Sequence, residues 1–254
     1  MTHNKTVFIT GASSGIGEAT AEIFAANHFN LILNARRSDR LEKIKAELEK
    51  KYSVKILLSI FDVRKLDEVK NAIKNIPTEW QKIDVLINNA GLASGMSTID
   101  EGDTDDWDKM IDTNIKGLLY VTRNIVPLMI KNNSGHIVNI GSIAGKEVYA
   151  NGNVYCSTKF AVDALTKSMR IDLLKHDIKV TGIHPGAVET EFSIVRFHGD
   201  VERAKKVYDG FDNLVAADIA DAIWYAVSRP KHVNINELTI MPTAQAQAGI
   251  IQRK

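Results

Sequence analysis

Seven short runs of β-branched and other apolar residues recur along the chain, and longer stretches with helical spacing separate them. The runs cover residues 7–9, 31–33, 56–60, 85–87, 137–140, 180–183 and 238–240. Strands that alternate with helices build βαβ units, in which the strands pair in parallel and the helices cover both faces of the sheet. The alternation therefore predicts an α/β fold with a mostly parallel sheet between two helical layers.

The intervening segments predict six helices and one continuous domain. Apolar residues recur with helical spacing over residues 15–27, 38–51, 65–75, 104–132, 152–175 and 218–228. No linker, low-complexity run or repeat interrupts them, so residues 1–254 are expected to form a single domain. Residues 192–216 are expected to be a short helical excursion that shapes a substrate pocket at the edge of the sheet. The tail from residue 243 is expected to be a frayed terminus.

Charge and cysteine content exclude several classes of protein. The chain has 32 Lys and Arg against 31 Asp and Glu, a formal net charge of +1, which gives no electrostatic reason to expect nucleic acid or an anionic membrane as partner. The single cysteine, Cys156, excludes a disulfide framework and a multi-thiolate metal site, and the seven histidines show no metal-ligand clustering. We therefore expect no bound metal and a reducing, cytoplasmic environment.

Two further absences support the expectation of a cytoplasmic protein that is neither exported nor embedded in a membrane. The chain has no run of about eighteen uncharged apolar residues, the length that a membrane-spanning helix needs. At the start of the chain, Gly11 interrupts the apolar residues before a signal-peptide core can form.

A glycine-rich turn directly follows the first predicted strand. Glycines at positions 11, 15 and 17 have the spacing Gly-x-x-x-Gly-x-Gly and open into the first predicted helix. Glycine lets the backbone turn sharply and approach a pyrophosphate, and a helix N-terminus supplies free N–H donors and a favourable dipole. A purely structural strand-to-helix turn is the alternative, but the position after the first strand of a βαβ run favours a cofactor site.

Further motifs follow in a fixed order along nearly the whole chain. They are Thr10 to Gly17, Asn88-Asn89-Ala90-Gly91, Asn114, Ser142, Tyr155-x-x-x-Lys159 and Pro185-Gly186-x-Val188-x-Thr190. In content and order this set resembles the short-chain dehydrogenase/reductase superfamily. The resemblance implies a Rossmann-type, doubly wound, seven-stranded parallel sheet and a single dinucleotide-binding catalytic domain. It also implies hydride transfer between a nicotinamide and a carbinol or carbonyl carbon of a small-molecule substrate.

The end of the second strand indicates which nicotinamide cofactor is preferred. Enzymes that use NAD usually offer Asp or Glu there, about twenty residues beyond the glycines, to the ribose 2′-hydroxyl. This chain has Asn34-Ala35-Arg36-Arg37; guanidinium groups suit a 2′-phosphate, and no carboxylate stands there to repel it. We therefore expect NADP(H) with Arg36 and Arg37 at the 2′-phosphate; two solvated arginines that open the next helix are the alternative.

The resemblance assigns further cofactor contacts. Asp62 and Val63, at the end of the third strand, correspond to the pair that contacts adenine. Asn89 and Gly91 correspond to the segment along the adenosine ribose, although segment 88–91 could instead be a turn that stabilises the central strands. The remaining cofactor contacts that the resemblance implies are Gly11, Ser13, Ser14, Gly15, Ile16, Gly17, Tyr155, Lys159, Pro185, Gly186, Val188 and, at the nicotinamide carboxamide, Thr190.

Three polar residues in the second half of the chain carry the expected chemistry. Tyr155 and Lys159 are four residues apart on a predicted helix, so both side chains lie on one face. A free tyrosine has a pKa of about 10, and a nearby ammonium and an oxidised nicotinamide would lower it. The resemblance implies that Tyr155 moves the proton and Ser142 stabilises the oxyanion, while Lys159 lowers the tyrosine pKa and binds the ribose hydroxyls.

Asn114 lies within the apolar stripe of the helix predicted at 104–132. A buried amide needs hydrogen-bond partners. The helix backbone could supply them. The resemblance instead makes Asn114 a fourth catalytic residue, whose neighbourhood holds a water that connects Lys159 to solvent. Cys156, next to Tyr155, is expected only to pack.

Four segments are similar to one branch of the superfamily, the NADP-dependent 3-hydroxy acid dehydrogenases, which act on serine and allo-threonine. The segments span residues 88–96, 152–155, 191–200 and 232–236. In this reading Ser142 and Tyr155 contact the substrate, and Arg196 is a candidate clamp for its carboxylate. A solvated helical arginine is the alternative for Arg196.

Two other functions stay open. One is a broad carbonyl or 3-oxoacyl reductase, and the other is an NADP(H)-binding redox sensor without catalysis. The intact set of Ser142, Tyr155 and Lys159 argues against the sensor, because a protein that only binds the cofactor needs no tyrosine with a shifted pKa. The resemblance also implies a homotetramer built from the long helices after strands four and five, which carry apolar residues at 118–121 and 160–162.

Overall fold

Seven parallel strands form the central sheet of the computed structural model, which describes residues 5–254. The strands of the chain are β1 (Thr6–Thr10), β2 (Asn30–Ala35), β3 (Ile56–Ile60), β4 (Val85–Asn88), β5 (Gly135–Ile140), β6 (Ile178–Pro185), β7 (Val188–Glu189), β8 (Leu214–Val215), β9 (Glu237–Ile240), β10 (Gln245–Gln247) and β11 (Ile250–Ile251). The sheet has the order β3-β2-β1-β4-β5-β6-β9, and every pair in it is parallel. The first four residues, part of the predicted start and of the predicted domain 1–254, lie outside the described residues.

Helices fill the gaps between the strands. They are α1 (Gly15–Ala26), α2 (Ser38–Tyr52), α3 (Leu66–Lys74), α4 (Thr104–Ile111), α5 (Leu118–Lys131), α6 (Asn153–Asp172), α7 (Phe192–Arg196), α8 (Val201–Lys206) and α9 (Ala216–Val227). The predicted doubly wound, seven-stranded α/β fold with helices on both faces is confirmed. Within residues 5–254, none of the helices is both long enough and apolar enough to span a bilayer.

Two separate apolar cores lie on the two faces of the sheet. Val7 and Ile9 of β1 belong to one core, where α1, α2 and α9 cover the sheet, and Phe8 between them belongs to the other, beneath α3, α5 and α6. Successive side chains of a strand point to opposite faces, so a strand covered on both sides needs consecutive apolar residues rather than alternation. This is the physical reason why the uninterrupted runs mark the central strands.

The helix predicted over 104–132 is not a regular α-helix throughout. A π-helical turn, Asp112–Gly117, joins α4 to α5. Such a turn accommodates an additional residue and changes the direction in which the following side chains point, and π-turns are common at functional sites. Thr113 and Asn114 are buried in this turn, so the irregularity bears directly on a predicted catalytic residue.

The predicted excursion at 192–216 is present, and its two short helices, α7 and α8, lead into β8, which pairs with β7. The expectation of a frayed tail is wrong. β10 and β11 form an antiparallel pair, the Gln245 side chain is 6% exposed and its oxygen accepts a hydrogen bond from Ala187 N at 2.8 Å. Lys254 N donates to Gly210 O. The tail is ordered because it packs on the excursion, a contact that composition does not reveal.

Candidate active site

A cleft of about 750 Å³ opens at the carboxyl edge of the sheet. It begins beside β1 and β4, where the strand order changes direction, which is where open α/β sheets bind ligands. The predicted site residues that line it are Gly11, Ser13, Ser14, Gly15, Ile16, Arg36, Arg37, Asp62, Val63, Asn89, Gly91, Ser142, Tyr155, Lys159, Pro185, Gly186, Val188, Thr190 and Arg196. Gly17 and Asn114 are not among its lining residues.

The glycine turn has the backbone shape that a phosphate site requires. Gly11 and Gly15 have φ of +65° and +56°, a left-handed conformation that other residues rarely adopt. Ser14 is the N-cap of α1, and no side chain caps the first N–H groups of the helix. These donors and the helix dipole suit the pyrophosphate of a dinucleotide. A Cβ on Gly15 would lie 3.2 Å from the Thr190 side chain, so Thr190 closes the turn from the opposite side.

Segment 88–91 braces the glycine turn. Asn89 Nδ2 donates to Thr10 O at 2.9 Å and to Gly11 O at 3.1 Å, and Thr10 Oγ1 accepts from Asn89 N and Ala90 N. The side chain of Asn89 is therefore engaged within the protein, as the alternative of a stabilising turn anticipated. Gly91 lies where a Cβ would come within 3.3 Å of Asn114 Oδ1 and 3.5 Å of Lys159 Nζ.

Three arginines gather at the end of β2. Arg36 is exposed, and Arg37 donates to the hydroxyls of Ser13 and Ser14. Glu191 pairs with Arg37 at 3.0 Å and with Arg40 at 2.6 Å. The end of β2 itself carries no carboxylate, but the segment before α7 brings Glu191 to these arginines. Arg40 was missed; its signal is a position three residues beyond Arg37 on α2, one turn along the same face.

Asp62, the predicted adenine contact, already has a partner. Its carboxylate accepts from Arg64 N, Nε and Nη2 at 2.5 to 3.0 Å. Burial raises the pKa of Asp62, but the hydrogen bonds from the side chain and backbone of Arg64 hold it below its usual value overall. The carboxylate therefore stays ionised at neutral pH, and Arg64 is an additional polar residue beside Asp62 in the cleft.

Ser142, Tyr155 and Lys159 meet where β5 ends against α6. Ser142 caps a 3₁₀ turn (Ile143–Gly145), and its Oγ accepts from Ala144 N at 3.1 Å. Tyr155 and Lys159 follow one another along α6 and are 8% and 6% exposed. Lys159 Nζ donates to Ile140 O at 2.9 Å. All three predicted residues thus share one wall of the cleft.

Burial controls the ionisation of Lys159 and Tyr155 in this wall. It lowers the pKa of Lys159 to about 8. It raises the pKa of Tyr155, and hydrogen bonding to Ser142 and the charge of Arg196 counteract only part of that rise. Lys159 Nζ lies 5.9 Å from the centre of the Tyr155 ring and donates to the Ile140 carbonyl; the lowering of the tyrosine pKa expected from Lys159 together with an oxidised nicotinamide stays a prediction. In this structure the phenol therefore stays protonated at neutral pH.

Asn114 satisfies its amide outside its own helix. Its Oδ1 accepts from Leu92 N at 2.9 Å, and its Nδ2 donates to Leu92 O at 2.8 Å and to Thr158 Oγ1 at 3.0 Å. The amide therefore fastens the loop after β4 to the catalytic helix beside Lys159. The helix backbone is not its partner, and the water relay through its neighbourhood stays a prediction.

Arg196 lies on the last turn of α7 with its guanidinium near three aromatic rings, those of Tyr149, Tyr155 and Phe197. Its central carbon is 5.5 Å from the centre of the Tyr149 ring and 5.7 Å from that of Tyr155. Nε donates to Gly95 O at 3.3 Å, whereas Nη2 is buried and has no hydrogen-bond partner among residues 5–254. A buried, unpaired donor of a charged group is costly, so this nitrogen is suited to an anionic ligand. Sequence reasoning missed Tyr149, whose weak signal is an aromatic six residues before Tyr155.

Comparison with known proteins identifies the family of this chain. A family model described as short chain dehydrogenase matches residues 5–200. An NADP-dependent 3-hydroxy acid dehydrogenase, YdfG, of Salmonella typhi is 44% identical over 96% of this chain and 97% of that protein. A protein of Schizosaccharomyces pombe with the same description, NADP-dependent 3-hydroxy acid dehydrogenase, is 44% identical over 98% and 97%. The solved closed form of serine dehydrogenase complexed with NADP⁺ is 42% identical, with a TM-score of 0.92 over 98% of this chain and 99% of that one. The chain described here belongs to the short chain dehydrogenase family.

Proposed function

We propose that this protein is an NADP(H)-dependent oxidoreductase that interconverts a small 3-hydroxy acid, similar to serine or allo-threonine, and the corresponding carbonyl compound. The observation that carries the substrate class is the unpartnered Nη2 of Arg196 beside the Tyr155 ring, because a carboxylate would satisfy it. The names of the similar proteins, 3-hydroxy acid dehydrogenase and serine dehydrogenase, support the same class. Residues 1–254 would act as one catalytic domain in the cytoplasm, without nucleic acid or membrane as partner.

The proposed NADP(H) molecule would be held by residues along the length of the cleft. The uncapped start of α1 would hold the pyrophosphate, Arg36 and Arg37 the 2′-phosphate, and Asp62 and Val63 the adenine. A 2′-phosphate together with the Glu191 carboxylate would balance the charges of Arg36, Arg37 and Arg40. When bound, the nicotinamide supplies or accepts the hydride.

The wall residues have complementary roles in moving the proton. Tyr155 keeps its proton at the hydroxyl oxygen at neutral pH, so it can donate that proton to a substrate oxygen during reduction. During oxidation it would accept the substrate proton only as the phenolate, which the positive charge of a bound oxidised nicotinamide would favour. Ser142 Oγ accepts from a backbone N–H and retains its own hydrogen to donate toward the developing oxyanion. Lys159 would bind the ribose hydroxyls, and Asn114 holds the adjoining loop against α6.

A substrate screen tests the proposed function. With NADP⁺ we expect turnover of small 3-hydroxy acids at specificity constants at least about tenfold above those of uncharged secondary alcohols, because only the acids pair with Arg196. Higher specificity for acyl thioesters or bulky ketones would favour the broad carbonyl or 3-oxoacyl reductase instead. Tight NADPH binding without turnover of any of these would favour the redox sensor.

Cofactor preference gives a second test. The double variant Arg36→Gln, Arg37→Gln is expected to raise the KM for NADP⁺ by about 10- to 100-fold, because two charge-assisted contacts to the 2′-phosphate are lost. The KM for NAD⁺ should change much less. As a control, Arg64→Gln lies near the adenine end common to both cofactors and should affect both alike. An equal increase in KM for the two cofactors in the double variant would contradict the assignment of Arg36 and Arg37.

We also infer a homotetramer, although fewer apolar residues of segments 118–121 and 160–162 are exposed for subunit contact than the sequence predicts. Leu118, Val121 and Val162 are buried in the chain's own core, whereas Leu119 on α5 and Phe160 on α6 remain 37% and 41% exposed. Such side chains are suited to contact between subunits.

Light scattering at micromolar concentration is expected to give four times the mass of one chain. Leu119→Arg should shift the mass toward dimers or monomers, whereas Leu174→Arg, at a residue that is 75% exposed beyond the end of α6, should not. A monomeric wild type would refute this inference.

A further inference from the structure

A cluster of charged residues lies beside the catalytic wall but outside the cleft. Lys146 Nζ contacts Asp163 Oδ1 at 2.8 Å and Glu237 Oε2 at 2.7 Å. The ring of His184 adjoins both carboxylates, with Nε2 at 3.7 Å from Asp163 and 4.0 Å from Glu237. We call Lys146, Asp163, Glu237 and His184 the Lys146 cluster. None of the four lines the cleft.

The ammonium of Lys146 is the positive charge that compensates both carboxylates of the cluster. Burial and the charge of Lys146 lower the pKa of His184 to about 4, so its ring is neutral at pH 7 and compensates neither carboxylate. Lys167 pairs with the second oxygen of Asp163 at 2.7 Å and does not reach Glu237. Because Asp163 and Lys146 are largely buried, with 12% and 22% exposure, their pairing is less screened by solvent than that of surface ions.

The cluster joins the elements that carry the reacting groups. Lys146 lies four residues after Ser142, and Asp163 lies four residues after Lys159, one turn further along α6. Glu237 belongs to β9, whose partner strand β6 ends with His184 and Pro185. The ion pairs of Lys146 therefore link the loop of residues 141–146, here called the Ser142 loop, to α6 and to the sheet edge.

The Ser142 loop is in very close contact with α6 at Gly145 and with β6 at Gly141. A Cβ on Gly145 would lie 2.8 Å from the Lys159 carbonyl carbon, and a Cβ on Gly141 would lie 2.5 Å from His184 Nδ1. No side chain fits at either glycine, and because Ser142 lies between them, a shift of this loop moves Ser142 relative to Tyr155 and Lys159 on α6. Catalytic geometry is sensitive to displacements of this kind.

We propose that Lys146 is a positioning residue, which through Asp163 and Glu237 holds Ser142 at its working distance from Tyr155 and Lys159. The inference rests on the proposed oxidoreductase function, since it concerns the geometry of that reaction. Lys146 touches neither cofactor nor substrate in this role. Its loss is therefore expected to slow the chemical step more than it weakens binding.

Steady-state kinetics of Lys146→Met with NADP⁺ and the best substrate of the wild type test the proposal. We expect kcat to fall by about 10- to 100-fold, while both KM values change by less than about threefold, because an interaction made only in the transition state is weakened. Lys146→Arg, which retains the charge, should recover most of kcat. The matched control Lys167→Met removes an ion pair to the same Asp163 without touching the Ser142 loop, and its kcat should stay within about twofold.

A double-mutant cycle separates positioning from a general loss of stability. If Lys146 acts through Ser142, Lys146→Met introduced into Ser142→Ala should lower kcat by less than about threefold further, because residues that act as one unit are not additive. Full additivity, an equal loss in Lys167→Met, or a kcat of Lys146→Met within about twofold of wild type would each overturn the proposal.

Loss of folding and loss of cofactor binding in Lys146→Met are measured separately from kcat. Thermal melting and NADPH fluorescence show whether Lys146→Met folds and binds cofactor. Should it fail to fold, Glu237→Gln, at a carboxylate that is 48% exposed, decides: a kcat loss of about three- to tenfold supports the proposal, and an unchanged kcat overturns it. A wild type without turnover on any substrate would overturn the proposed function as well, whereas an active wild type with an unaffected variant overturns this inference alone.

Discussion

Tyr155→Phe is expected to lower kcat by about 10²- to 10⁴-fold, the contribution typical of a positioned acid–base group. The Tyr155 hydroxyl is the group proposed to exchange a proton with the substrate oxygen, and its ring lies beside Arg196. The ring packs with Ala93, Met110, Ala144 and Cys156, and phenylalanine preserves those contacts. The variant should therefore fold normally and lose only the proton.

NADPH fluorescence measured alongside turnover checks this result. The dissociation constant of NADPH should stay within about threefold of wild type, because the hydroxyl contributes little to holding a molecule with many other contacts. Tyr120→Phe, a half-buried tyrosine on α5 away from the cleft, is the control and should leave both quantities unchanged. Residual turnover above a few per cent of wild type would mean that another group handles the proton.

Arg196→Met is expected to lower kcat/KM for carboxylate substrates by about 10- to 100-fold and to spare uncharged secondary alcohols. A small 3-hydroxy acid has few apolar atoms, so its affinity must come largely from its charge. A charge-assisted pair in a site shielded from water contributes about 1.5–3 kcal/mol. Methionine keeps the apolar stem that packs near Tyr149 and Phe197 while removing the unpartnered Nη2.

Parallel assays with a 3-hydroxy acid and a secondary alcohol separate the clamp from a structural role. Arg196 also anchors the excursion, since its carbonyl accepts from Gly95 N at 2.9 Å and its Nε donates back to Gly95 O. The control Arg203→Met removes a guanidinium that stacks on Phe197 at 4.3 Å but does not line the cofactor cleft. Its effect on kcat/KM should be the same for the two substrates. If Arg196→Met lowered kcat/KM equally for both substrates, Arg196 would hold the loop rather than the carboxylate.

Local sequence was sufficient for the sheet and for most helix positions. All seven predicted strands lie within the observed ones, because consecutive apolar residues such as Val7, Phe8 and Ile9 are required wherever both faces of a strand are covered. The order of motifs likewise indicated which residue types stand at the carboxyl ends of the strands. The π-turn at Asp112–Gly117 escaped this reasoning, since its residues do not break the apolar spacing of an ordinary helix.

Only the tertiary structure decided which of those polar residues meet. Glu191 pairs with Arg37 across 154 positions of sequence, Lys146 with Glu237 across 91, and Asn114 with the backbone of Leu92 across 22. Sequence by itself determined the strands and the glycine turn, because backbone preferences and apolar periodicity act between near neighbours. The Ser142, Tyr155 and Lys159 set was implied by the resemblance of the motifs to a known family. The partners of the site were decided by the fold, because a hydrogen bond or ion pair forms only when parallel crossovers bring distant strand ends to within about 3 Å of each other at one edge of the sheet.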